Sequence, residues 1–150
     1  MQGMSVERVL ATTRAAWAPA MTAPEYAAFL GELLTAEHDR MRLLSACLQE
    51  LDVGSLEWDA IQLQQLHDIR NCTVLAALMR EEGEKPTPAV GVFYGRGLAL
   101  RDRRKRLGFL RHIQGWLAER LAAGLPRVPP GARHVLQEML DSHLATLSGR

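Results

Sequence analysis

The chain has 150 residues, 47% of them apolar and 23% charged, with a formal net charge of +1. That is the size and composition of one globular domain able to bury a core, and it excludes a disordered chain. So even a charge balance gives no overall attraction to nucleic acid or to an acidic membrane, and either role would need a local patch.

The N-terminal stretch MQGMSVERVLATTRAAW carries charges where an export signal needs its apolar core. No apolar run approaches the ~18–20 residues of a membrane span. The expected location is therefore the cytoplasm, without membrane contact. Ala, Leu, Arg, Glu and Gln dominate, β-branched residues are sparse, and no stretch alternates apolar and polar for long, so every element is predicted helical.

Residues 1–20 read as a helical lead-in, capped by Ser5, running to Trp17 and closed by Pro19. Residues 22–148 then read as four long helices within a single domain spanning 1–150. Thr22-Ala23-Pro24-Glu25 is a capping box with proline in the first turn, and the helix it opens runs about 27 residues, stopping before Gly54. Its apolar stripe is Leu30, Leu33, Leu34, Met41, Leu44, Leu48 and Leu51. Ser55 caps a second long helix ending at Gly83, with Trp58, Ile61, Ile69, Cys72, Leu75 and Met79 expected inside.

A proline-bearing loop leads to a turn or two of helix over Phe93–Leu100. Asp102 restarts the chain into a third long helix carrying Leu107, Leu110, Ile113, Leu117 and Leu121, stopped at Gly124-Leu125-Pro126. The fourth follows Pro129-Pro130-Gly131 and ends near Leu147. Amphipathic helices joined by short connections pack as antiparallel neighbours, and four such stripes close a bundle.

Four polar residues lie on these apolar stripes, roughly one to each long helix: Glu37, Asp68, Gln114 and His143. Each sits near mid-helix, where capping cannot explain it, and an isolated buried carboxylate would cost several kcal/mol or shift its pKa. Two carboxylates, an amide and an imidazole are more comfortable around a cation, or in one mutual hydrogen-bond network. Both alternatives stand on the residues alone.

Inward carboxylates on facing helices with a histidine on the last resemble the ferritin-like metal-binding bundles. More narrowly, the segments LLTAEHDRMRLL, HDIRNCTVLAALMREEGEKPTP, FYGRGLAL, IQGWLAERL and LQEMLDSHLATL resemble an uncharacterised bacterial ferritin-like domain family, over residues 24–147. The resemblance implies an antiparallel ferritin-like four-helix bundle. It also implies Glu37, Asp68 and His143 as ligands of one divalent metal (iron, manganese or zinc), with oxygen- or peroxide-linked redox chemistry if the protein is an enzyme. Gln114, Asn71, His38 and His67 would stand behind those ligands.

The departures from that pattern are equally plain. Where a di-iron member has a glutamate and then a histidine, the second helix has Asp68-Ile69-Arg70-Asn71. The third helix offers Gln114 in place of a carboxylate, and Leu140 stands three residues before His143. Two metal ions would be under-coordinated. The alternative reading is a non-catalytic helical interaction domain that kept the scaffold and lost the metal.

Cys47 and Cys72 fit no close-spaced metal or redox motif and are expected as free core thiols. If Glu37 faces Asp68, the two thiols lie roughly 20 Å apart along the helices, too far for a disulfide. Arg101, Arg103, Arg104, Lys105 and Arg106 form the densest charge cluster, a candidate patch for an anion or acidic partner, or a solvated helix start paired with Glu81, Glu82 and Glu84. No aromatic residue interleaves the run, so nucleic acid is not the expected partner. A detached leading helix ending in Trp17 is compatible with a homodimer, and no small-molecule substrate can be named.

Overall fold

In a computed structural model that describes residues 19–87 and 89–149, the first helix begins as its capping box requires. The Thr22 hydroxyl accepts from the Glu25 amide at 3.2 Å, and the Glu25 carboxylate accepts from the Thr22 amide at 3.0 Å. The lead-in expected over Ser5 to Trp17 lies outside the described residues.

Five helices follow, with no strand among the described residues: α1 (Ala23–Gln49), α2 (Leu56–Glu81), α3 (Val92–Ala99), α4 (Arg103–Gly124) and α5 (Pro130–Leu147). The fold is all-α. Ser55 caps α2 through the Trp58 amide, and Asp102 caps α4 through the Lys105 amide. Past the end of α2, Gly83 takes φ 76°, a left-handed conformation that glycine adopts without a Cβ penalty.

Cross-helix bonds fix the directions. Along α1 and α2, Glu37 meets Asn71, Arg40 meets Asp68 and Ser45 meets Gln65, so one number climbs as the other falls. The same inversion relates α1 to α4, through Arg40 with Leu110 and Glu50 with Arg106. It relates α4 to α5, through Arg111 with Leu147 and Gln114 with His143. Each of these pairs is antiparallel.

Leu30, Leu33, Leu43, Leu44, Leu75, Ile113, Leu117, Leu121 and Leu136 are fully buried between them. Helix α1 is the most enclosed, because α2, α3 and α4 all pack on it. Between the helices, glycines permit close approaches: a Cβ on Gly97 would lie 2.5 Å from a Leu43 methyl, and one on Gly124 would overlap the Phe29 ring. Helix α3 is anchored by the edge-on contact of Phe93 with Trp116, ring centroids 5.4 Å apart.

On α2 the expected inner face needs correction. Ile69 is exposed and Trp58 only half-buried, because the outer side of that helix has no neighbour among the described residues. Ile61, Asp68, Cys72 and Leu75 do face inward.

Candidate functional site: a buried polar network

Midway along the helices, the four polar residues that interrupt the apolar stripes come together with Asn71, Arg40 and Gln64. Glu37 is completely buried, and its Oε1 lies 2.6 Å from Nε2 of His143. Asn71, one turn beyond Asp68 on α2, donates to the same oxygen at 3.2 Å. The Gln114 side-chain nitrogen approaches Nδ1 of His143 at 3.3 Å.

Between these residues and Asp68 lies Arg40, only 1% exposed. Its guanidinium donates to Asp68 Oδ2 at 2.6 Å, to Gln64 Oε1 at 2.6 Å, to Gln114 Oε1 at 3.4 Å and to the Leu110 carbonyl at 3.3 Å. Its fork thus reaches a carboxylate, two amides and a backbone carbonyl on two other helices.

Arginine can only donate, and this sets the polarity of the chain of bonds. Gln114 must turn its oxygen to Arg40, so its NH₂ faces His143 Nδ1, which accepts and carries no proton. The ring proton then sits on Nε2 and is donated to Glu37. Arg40, Gln114, His143 and Glu37 form one oriented relay. Under this tautomer the 3.4 Å approach of Asn71 to Nε2 brings two donors together and is no bond. Glu37 Oε2 is the one buried side-chain polar atom without a partner among the described residues.

The electrostatics follow from burial. Asp68 is raised from 3.8 to about 7, first by loss of solvent and then by the nearby Glu37 charge, against the pull of Arg40. Burial likewise pushes the Cys72 thiol up to about 12, with Glu37 and Asp68 adding to it, and raises Cys47. Both cysteines are free and buried, as expected, and neither is an activated nucleophile.

A divalent metal fits this donor set poorly. Both ring nitrogens of His143 are engaged, Asp68 Oδ2 is held by Arg40, and Glu37 Oε1 already takes two contacts. That leaves Glu37 Oε2 and Asp68 Oδ1 as the oxygens without a hydrogen bond, two open donors where a structural or catalytic zinc takes three or four from the protein. Among the described residues no three His, Cys, Asp or Glu side chains form a metal-holding group.

The flanking histidines stand apart. His38 is half-buried and lowered by loss of solvent, while His67 is exposed and reaches Ser142 at 3.4 Å; neither joins the network. Of the basic run, Arg106 is not a surface residue. It is buried, donates twice to the Leu100 carbonyl and pairs with Glu50 at 2.8 Å. Arg103 lies 3.7 Å from Glu57, so the acids beside this run are at the end of α1 and the first turn of α2 rather than Glu81–Glu84 at the far end of α2. Arg101, Arg104 and Lys105 stay exposed.

A domain family model matches residues 24–149, nearly the whole chain, and its description is "Domain of unknown function (DUF6306)". The chain belongs to the DUF6306 family. No curated protein and no solved structure matches it. In this DUF6306 member the matched span contains every residue of the polar network, so the network is part of the family domain and not of a flanking segment.

Proposed function

We propose that this DUF6306 chain is a ferritin-like four-helix bundle in which an internal arginine supplies the positive charge that a metal ion supplies elsewhere. Its role is that of a non-catalytic helical interaction domain. The observation that carries the reading is the placement of Arg40, which sits in the middle of the core with its guanidinium spent on Asp68, Gln64, Gln114 and a backbone carbonyl. A buried cation there stabilises Asp68, lends Gln114 its orientation and repels a second cation.

Elemental analysis of the full chain purified without chelator tests this. The expected result is well under one equivalent of iron, manganese or zinc, unchanged by Glu37→Ala or His143→Ala. About one equivalent, lost in both variants, overturns it. That outcome would support the competing reading, a divalent ion held by Glu37, Asp68 and His143 for oxygen-linked chemistry, which the unpartnered Glu37 Oε2 favours. The competing reading requires Arg40 to leave Asp68.

A further inference from the structure

The outward face of α2 carries a pattern that no contact among the described residues uses. Leu56, Asp59, Leu63, Leu66, Arg70 and Thr73 follow one another in alternating steps of three and four, the spacing of a coiled-coil seam. All six point away from α1. Leu56 is 88% exposed, Leu63 57% and Leu66 56%, and Asp59, Arg70 and Thr73 are exposed with them. The stripe runs about 25 Å along the helix. Asp59 has no ion-pair partner among the described residues, and Arg70 has only a loose 3.8 Å approach to the exposed Glu138.

We infer that this stripe is a self-complementary interface, and that its occupant is α2 of a second copy of the chain, packed antiparallel. A two-fold axis passing between Gln64 and Gln65 sets Leu63 against Leu66 of the other copy, and Asp59 against its Arg70. Each of these contacts occurs twice, as an isologous interface requires. Leu56 meets Thr73 at each end. A parallel pairing in the same register would set Asp59 on Asp59 and Arg70 on Arg70, so the charges select the antiparallel arrangement. Two leucines from each helix form the centre, and oppositely charged pairs flank it on both sides.

This names the partner for the interaction role proposed above and rests on that role, but it does not depend on the metal content of the core. Sedimentation equilibrium of the full chain tests it. Wild type is expected at twice the 16.7 kDa chain mass. Asp59→Arg and Arg70→Asp each put like charges face to face, and each should weaken association by about tenfold or more. The double variant Asp59→Arg/Arg70→Asp should restore the dimer, a rescue that a merely misfolded single variant would not give.

A wild-type chain that stays monomeric overturns the inference. So does a dimer indifferent to both single reversals, or a double variant that stays apart. A metal-free monomer would refute the second copy alone, whereas a full equivalent of core metal would refute the earlier reading whatever the mass.

Discussion

Glu37 and Asp39 lie two residues apart on α1 and are both completely buried, yet the fold accommodates them in opposite ways. Asp39 faces α3 and is held by backbone: it accepts from the Gly91 amide at 2.9 Å and the Tyr94 amide at 3.3 Å, capping a helix that has no capping residue of its own. Glu37 faces the other way and depends on side chains, His143 and Asn71, with one oxygen left over. A carboxylate held by main-chain donors at a helix start is a local and self-contained device. One held by side chains from other helices ties those helices together and is only as secure as its most distant member.

The sharpest way to break the comparison is at Arg40. Arg40→Met leaves Asp68 buried without its cation and should cost about 3–5 kcal/mol in urea unfolding, and Arg40→Met/Asp68→Leu should recover most of that. On the Asp39 side, Asp39→Ala removes the cap of α3 and should cost about 1–2 kcal/mol. Gly91→Ala should do similar damage by driving its Cβ into the same carboxylate. Hydrogen exchange should show the loss confined to the Gly91 and Tyr94 amides and their neighbours. Loss of protection spreading into α5 would dissolve the distinction between the two acids.

The pH dependence of stability separates the two acids' surroundings in a second way, through Asp68. Asp68 titrates near 7 when folded and near 3.8 when not, so between those values the folded chain holds a proton that the unfolded chain has released. Its contribution to stability is full below about pH 3.8 and fades as pH rises through about 7, with a slope that approaches but does not exceed ~1.4 kcal/mol per pH unit, the limit for one proton. Asp68→Asn should remove that slope. Carboxyl NMR should place the Asp68 midpoint near 7 in wild type and clearly lower in Glu37→Gln, where the neighbouring charge is gone.

Much of this was legible in the residues. Thr22, Ser55 and Asp102 as caps, and Gly83 and Gly124 as stops, locate the helices to within a residue or two, because capping is local chemistry. Glu37, Asp68, Gln114 and His143 were visible because each interrupts a leucine stripe. Arg40 was not. It lies three residues after Glu37 and four before Leu44, on that same stripe, but a long cation in such a place usually reaches out to solvent.

Asp39 had no signal at all, since a helix enclosed by three neighbours buries faces that no single stripe reveals. The exposure of Ile69 was missed for the complementary reason: periodicity reports an apolar face, and α2 carries two, one turned inward and one outward.

The condition of the two thiols has a practical reach. With Cys72 needing a pH near 12 to ionise and Cys47 fully enclosed, maleimide reagents at neutral pH should pass over both. The sequence contains no other cysteine, so a single one introduced on the outer face of α2 would be the sole point of attachment for a dye or spin label. Distances between such labels could then be read with every native residue of the interior left in place.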